Sequence, residues 1–161
     1  MASFDEFYKS FKSDTKGKIF EKFVKWFLKN EPMWKKIVDE VWLWDEYPDK
    51  KTHDIGTDLV FRDKQGRLWA VQAKDFNKTP KINAEHVSSF YRNTGKKFYY
   101  RRLVISTTDG IGATWFKDNL NDPDEIIPTV TWMLSDFRKS QMLYGFEYPE
   151  HGFGAWSMDL V

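Results

Sequence analysis

An acid and a lysine on two neighbouring predicted strands are the residues of this sequence best suited to chemistry. Asp58 lies in one strand-like segment, 55–62, while Gln72 and Lys74 lie two positions apart in the next, 67–74. In such an arrangement the carboxylate and the amide oxygen hold a divalent cation, and the lysine polarises the attacking water and stabilises the developing negative charge. The pattern predicts hydrolysis of a phosphodiester bond.

The turn between the two strands predicts how these side chains are arranged. Its four residues, Asp-Lys-Gln-Gly, suit a type I turn followed by a glycine in the left-handed region, which pairs Asp63 with Arg67. This register sets Asp58 opposite Gln72. Opposed residues and alternate residues share a face of a sheet, so Lys74 joins them on one face. A loop one residue shorter would separate the acid from the other two side chains.

The rest of the chain predicts the elements that position this hairpin. Apolar residues recur at helical spacing between 19 and 28, which predicts a helix that begins after Asp14 or Thr15 and ends near Lys29. Further helices are predicted over 3–11, 32–36, 83–92, 112–120 and 134–139, and further strands over 38–44, 101–107 and 126–132. A hairpin followed by strands that are reached through helices predicts an α/β fold, with a mixed β-sheet flanked by helices.

Length and composition predict one cytoplasmic domain with a sizeable core. The chain has 161 residues, of which 18% are aromatic, and it has no cysteine, so disulfides and thiolate metal sites are excluded. The first eleven residues are charged and do not resemble a signal peptide. No stretch approaches the roughly 18 apolar residues of a membrane span.

The charge balance predicts weak independent binding to DNA. The net charge is +1, whereas a DNA-binding domain usually carries a clear basic excess. We expect nonspecific affinity of tens of micromolar or poorer. The basic pairs in the sequence are Lys78 with Lys81, Lys96 with Lys97, and Arg101 with Arg102, and such charges are more often a solvated surface than a binding site.

Taken with their flanks, these motifs resemble a known nuclease family. Glu21 in the predicted N-terminal helix, Asp-Ile-Gly-Thr-Asp at 54–58 and Gln-Ala-Lys at 72–74 resemble the Mrr-like branch of the PD-(D/E)XK nucleases, which often carries glutamine at this position. The flanking segments are similar to the N-terminal nuclease domain of type ISP restriction-modification enzymes: 3–8, 17–21, 25–28 and 128–132. The resemblance covers residues 3–138 and implies a restriction-endonuclease-like core.

The resemblance implies an endonuclease that cuts double-stranded DNA with Mg²⁺, Mn²⁺ being the alternative ion. The implied metal ligands are Asp58, Gln72, the carbonyl of Ala73 and, through water, Glu21, while Lys74 orients the nucleophilic water. It also implies that the nuclease belongs to a longer polypeptide with an ATP-dependent translocase, a methyltransferase and a target-recognition domain. Residues 1–140 are predicted to form the nuclease domain, and 141–161 an irregular segment that docks on the core or leads to a further domain.

Each of these residues also has a structural interpretation. Asp58 could bond a nearby backbone amide at the start of its strand, Gln72 could be structural, and Glu21 could be an ordinary solvated helix residue. Asp54 fits a loop acid better than a third metal ligand, and His86 fits a helix surface better than a phosphate contact. The corresponding alternative function is a noncatalytic nucleic-acid-binding or interdomain module that retains the nuclease fold.

Overall fold

The computed structural model describes residues 3–9, 16–48, 57–74, 99–109 and 129–141. These residues include a five-stranded mixed sheet and the helices beside it. The strands follow chain order across the sheet: β1 (Val38–Leu43), β2 (Leu59–Asp63), β3 (Leu68–Lys74), β4 (Arg101–Ser106) and β5 (Thr129–Trp132). The pairs β1–β2 and β2–β3 are antiparallel, whereas β3–β4 and β4–β5 are parallel. This confirms the predicted α/β fold with its mixed sheet.

The described helices agree closely with those predicted. They are α1 (Phe4–Lys9), α2 (Lys16–Asn30), α3 (Pro32–Lys35) and α4 (Leu134–Lys139), and a 3₁₀ turn, Trp44–Glu46, follows β1. α3 begins at Pro32 because proline suits the first helical position, and the buried carboxylate of Glu31 accepts the Trp34 N–H at 3.0 Å. None of these helices has the length and apolar character needed to cross a membrane.

Phenylalanine side chains from the helices build the larger core on one face of the sheet. They are Phe4 and Phe7 from α1, Phe20, Phe23 and Phe27 from α2, and Phe137 from α4. These rings pack on alternate strand residues, including Phe61, Trp69, Val71 and Ala73. The Phe4 and Phe137 rings stack with centroids 4.4 Å apart, so α1 and α4 pack against one another.

A smaller apolar cluster covers the opposite face of the sheet. It contains Val60, Ala70 and Val104 from the strands, together with Tyr47 and Tyr99. Burial, with a smaller effect of Tyr47, raises the pKa of Tyr99 to about 12. Because side chains alternate along β3, this second face is also the one to which Gln72 and Lys74 belong.

The hairpin turn has the predicted geometry. Gly66 has φ +83°, its N–H donates to the Asp63 carbonyl at 2.9 Å, and the Asp63 N–H donates to the Arg67 carbonyl at 2.8 Å. The register that follows pairs Phe61 with Trp69. The first strand of the hairpin is shorter than the prediction of 55–62, since β2 begins at Leu59.

Several predictions fall on residues outside the described ranges. These are Asp54, His86, the basic pairs 78/81 and 96/97, the helices over 83–92 and 112–120, and all of 141–161 except Gln141. They remain predictions.

Candidate active site

Three hydrogen bonds hold Asp58 directly before β2. Its N–H donates to the Val71 carbonyl at 2.9 Å, and its carbonyl accepts the Trp44 N–H at 3.0 Å. Its carboxylate oxygen Oδ2 accepts the Ala73 N–H at 2.8 Å. The acid therefore lies between the ends of β1 and β3, and its carboxylate is held against the backbone of β3.

The position of Asp58 differs from the predicted direct pair with Gln72. The paired ladder ends at Leu59 and Val71, so Asp58 lies one residue beyond it. Its N–H and carbonyl point to different neighbouring strands, which breaks the regular strand pattern and turns its carboxylate toward the Ala73 amide. The acid still reaches the predicted part of β3, through a backbone contact.

The backbone of Ala73 faces the same side as the acid. The Lys74 carbonyl accepts the Thr107 N–H at 3.2 Å, so the backbone groups of Lys74 point toward β4. Successive residues of a strand direct their backbone groups to opposite neighbours, so the N–H and carbonyl of Ala73 both point toward Asp58. The Ala73 carbonyl therefore faces the same neighbouring strand as its N–H, and its role as a metal ligand remains a prediction.

Gln72 and Lys74 flank this backbone contact and differ in exposure. Gln72 is 1% exposed, whereas Lys74 is half-buried at the end of its strand. Lys74 lies directly opposite Ser106 of β4, and the Ser106 hydroxyl oxygen accepts the Thr108 N–H at 3.1 Å. The lysine is therefore supported on one side by the end of a parallel strand and reaches solvent on the other.

The oxygen donors of this site fit a hard cation. The Asp58 carboxylate contacts the Ala73 backbone, and the preceding residue of the same strand end, Gln72, carries an amide oxygen. Mg²⁺ is usually held by one or two carboxylates while it keeps several waters. Within the described ranges, no three side chains of His, Cys, Asp or Glu come together. A cation held here would rest on one acid, with the remaining coordination positions filled by neutral oxygens and water.

A restriction endonuclease family model of the Mrr group matches residues 29–150, which include every described strand together with Asp58, Gln72 and Lys74, while Glu21 lies outside the match. The chain belongs to this restriction endonuclease family.

Two solved structures resemble this restriction endonuclease domain. An ATP-dependent type ISP restriction-modification enzyme, LlaBIII bound to DNA, is 32% identical with a TM-score of 0.74, and the alignment covers 94% of the present chain. The chain spans 10% of the length of that enzyme. The MspJI restriction endonuclease in complex with a 27-mer oligonucleotide is 16% identical with a TM-score of 0.46, covering 83% of this chain and 29% of its own. No curated protein gives a significant match.

Glu21 belongs to the helix that covers one face of the sheet. It is half-buried on α2, whose phenylalanines cover the face that carries Val71 and Ala73. Gln72 and Lys74 belong to the opposite face by strand alternation. Its role in metal binding remains a prediction.

The sequence did not single out the polar residues at the end of β4. Ser106 is fully buried opposite Lys74, and Thr107 is 7% exposed and bonds the Lys74 carbonyl. The sequence predicted a mixed sheet but neither the partner of strand 101–107 nor its register, because a parallel pairing depends on the crossover and not on a short turn.

Proposed function

We propose that this restriction endonuclease domain hydrolyses phosphodiester bonds of double-stranded DNA with Mg²⁺, Mn²⁺ being the alternative ion. The hydrogen bond between the Ala73 amide and Asp58 carries the proposal, because it holds a carboxylate against the peptide between Gln72 and Lys74. A metal-binding carboxylate and a half-buried lysine next to the residue that it contacts suit phosphodiester hydrolysis, because metal-activated water attacks and a cation stabilises the developing negative charge.

In this proposal each residue has a stated role. Asp58, Gln72 and the Ala73 carbonyl would hold the ion, and Glu21 would add a second negative charge through water. The bound ion supplies Lewis-acid polarisation and a water of lowered pKa. Lys74 donates hydrogen bonds to the attacking water and to the phosphate oxygen on which negative charge develops.

We further propose that the domain acts as part of a longer polypeptide of the type ISP kind. The support is the 32% identity to an enzyme of that type, of which this chain spans 10%. An ATP-dependent translocase, a methyltransferase and a target-recognition domain would then deliver the DNA. The structure of that enzyme was obtained with DNA, which favours DNA as the substrate here.

A plasmid-nicking assay tests the activity. Supercoiled plasmid is incubated with Mg²⁺ and the domain, both alone and joined to translocase and recognition parts. Nicked circles are expected with the joined protein, and both EDTA and Asp58→Ala should abolish them. Intact plasmid under every condition with a properly folded protein would contradict the proposal.

The alternative is a noncatalytic module, and one observation favours it. Asp58 already accepts a backbone N–H, which is also how a purely structural aspartate at a strand end behaves. A titration with Mn²⁺ distinguishes the nuclease from the noncatalytic module. Binding is measured as the loss of the electron paramagnetic resonance signal of the free ion. The nuclease proposal expects binding that Asp58→Ala removes, and the noncatalytic module expects none in either protein.

A further inference from the structure

A basic surface lies at the end of the sheet that is remote from the candidate active site. The hairpin turn, the start of β4 and the end of α3 meet there, because the Lys64 N–H donates to the Ile37 carbonyl at 2.9 Å and the Tyr100 N–H donates to the Leu68 carbonyl at 2.7 Å. These segments contribute five basic residues and one exposed ring: Lys35, Lys36, Lys64, Arg67, Tyr100 and Arg101. We call these six residues the turn-end surface.

Two guanidinium groups stack on the exposed ring at the centre of this surface. The Arg67 guanidinium carbon lies 3.8 Å from the centroid of the Tyr100 ring, and that of Arg101 lies 4.8 Å from it. Arg101 also donates to the Tyr100 hydroxyl at 3.2 Å. Stacking fixes the planes of both guanidiniums, so their N–H edges are oriented before any ligand arrives.

A buried carboxylate holds one of these arginines in place. Asp63 is 2% exposed, and its Oδ2 accepts the Arg67 Nε–H at 2.9 Å and the Trp69 indole N–H at 3.0 Å. Asp63 thus binds the inner edge of the guanidinium. Among the described residues no acceptor contacts the terminal Nη groups of Arg67, whose side chain is 38% exposed.

Little negative charge competes at this surface. The described carboxylates of these segments and their neighbours include Asp63 and Glu31, which are buried, and Asp39, which is bound to Arg62 at 2.8 Å. The surface therefore concentrates positive charge in a chain whose net charge is only +1.

We propose that the turn-end surface binds the phosphate backbone of duplex DNA, at a contact separate from the candidate active site. Fixed arginine forks and exposed lysines match phosphate oxygens. A protein–protein interface would instead need an apolar centre, and Met33 and Tyr100 are the only strongly exposed large apolar side chains among the described residues. The choice of DNA among polyanions rests on the proposed function.

The spacing suits one duplex that contacts both ends of the sheet. Leu68 and Lys74 begin and end β3, and six strand steps span roughly 20 Å. This distance corresponds to about six base-pair steps. The turn-end surface would then hold the duplex about half a helical turn from the bond that is cut.

Fluorescence anisotropy of the 161-residue chain on a labelled random duplex, measured from low to moderate salt, tests this surface. Wild-type binding is expected in the tens of micromolar, without sequence preference. The double variant Lys35→Glu/Lys64→Glu should bind at least about tenfold more weakly, and its salt slope should fall by about 2. The matched control, Lys22→Glu/Lys139→Glu, makes the same charge change on two exposed lysines outside the surface.

Equal affinities of the two double variants, or no binding by the wild type, would overturn the proposal. If circular dichroism shows that the double variant does not fold, Lys64→Gln replaces it, since this substitution only removes one charge from an exposed turn. Its salt slope should then fall by about one unit. Poly-glutamate that binds as tightly as DNA would overturn the choice of partner and indicate an acidic protein surface. Asp58→Asn should keep this binding while losing any cutting. Wild-type protein that binds DNA through this surface but does not cut it under any condition would contradict the nuclease proposal alone.

Discussion

Lys74 ends β3 half-buried, directly opposite the fully buried Ser106. We expect Lys74→Ala to lower single-turnover cleavage about a hundredfold, because one electrostatic donor to the transition state contributes roughly 3 kcal/mol. The melting temperature should hardly change, since a strand-end lysine packs little. Lys22→Ala, at an exposed position of α2, is the matched control and should leave cleavage unchanged. Near-normal cutting by the Lys74 variant would remove this lysine from the mechanism.

Gln72 is 1% exposed and precedes Ala73, whose amide Asp58 binds, so replacing its own amide with a carboxylate has two separable consequences. We expect Gln72→Glu to cut with less Mg²⁺ for half-maximal rate, because a carboxylate binds a hard cation better than an amide does. In EDTA the variant should melt at a lower temperature than wild type, since its buried charge lacks compensation. Mg²⁺ should bring its melting temperature back to that of wild type.

Gln65→Glu makes the same substitution at an exposed turn position. It should change neither the Mg²⁺ needed for half-maximal rate nor the melting temperature in EDTA. A Gln72→Glu enzyme that is folded but inactive at saturating Mg²⁺ would show that the amide acts as a hydrogen-bond donor.

The sequence predicted residue types at this site better than their contacts. The sequence predicted that Gln72 and Lys74 lie in one strand, and the structure places both in β3, where strand alternation puts them on one face. The contact of Asp58 with the Ala73 amide was foreseen only as the structural alternative. It depends on the irregular backbone at the start of β2, where Asp58 bonds both neighbouring strands, and strand periodicity carries no information about such a break.

At the scale of the element, the β2–β3 hairpin depends on Asp63 as well as on its glycine. The Asp63 carboxylate accepts four hydrogen bonds: from the backbone of Gln65 and Arg67, from the Arg67 side chain and from the Trp69 indole. We expect Asp63→Asn to lower the free energy of unfolding by about 2–4 kcal/mol, because one amide oxygen cannot accept all four donors. Urea denaturation measures this, and Asp39→Asn, on an exposed ion pair, should cost under about 1 kcal/mol.

The same carboxylate predicts a dependence of stability on pH. Burial alone would raise the pKa of Asp63, but its hydrogen bonds outweigh burial and lower that pKa below the ordinary value. A depressed native pKa stabilises the fold above the unfolded pKa, and this contribution is lost as pH falls through the native value. We expect the stability gap between wild type and Asp63→Asn to shrink below about pH 4. A gap that is constant down to pH 2 would contradict this assignment.

Gly66 was predictable because its conformation is set by the turn type. Its φ of +83° disfavours a side chain, although a Cβ there would meet no atom within 4 Å. Gly66→Ala should therefore cost about 1–2 kcal/mol through backbone strain alone, and Gly66→Asn should cost less. Equilibrium unfolding compares the two, and an equal cost would indicate that something other than φ is responsible. The Asp63 network was not predicted, because Trp69 joins it from the next strand.

At the scale of the whole molecule, the distribution of charge matters more than its sum. A net charge of +1 predicted no strong DNA binding, and it gave no sign that five basic residues from three separate segments would gather at one end of the sheet. The pair Arg101–Arg102, which the sequence singled out, is divided by strand alternation. Arg101 reaches the surface, whereas Arg102 is 5% exposed.

The folding unit is larger than the part of the chain that the family model matches. That match begins at residue 29, yet the larger core is closed by α1 and α2, which contribute Phe7, Phe20, Phe23 and Phe27, each at most 1% exposed. Removing residues 1–28 would expose the apolar face of β2 and β3, where Phe61 and Val71 are fully buried. Losing one such phenylalanine typically costs about 3–5 kcal/mol, and a whole domain is stable by only about 5–15 kcal/mol.

We therefore expect a chain of residues 29–161 to lack a cooperative thermal transition and to bind a hydrophobic dye, whereas the full chain melts cooperatively. Removing residues 142–161 is the control truncation at the other end, because it leaves every described member of the larger core in the chain. A cooperative melt of the 29–161 chain near the wild-type temperature would show that the sheet and α4 fold without the N-terminal helices. In that case α1 and α2 would form an added layer that the nuclease core does not need.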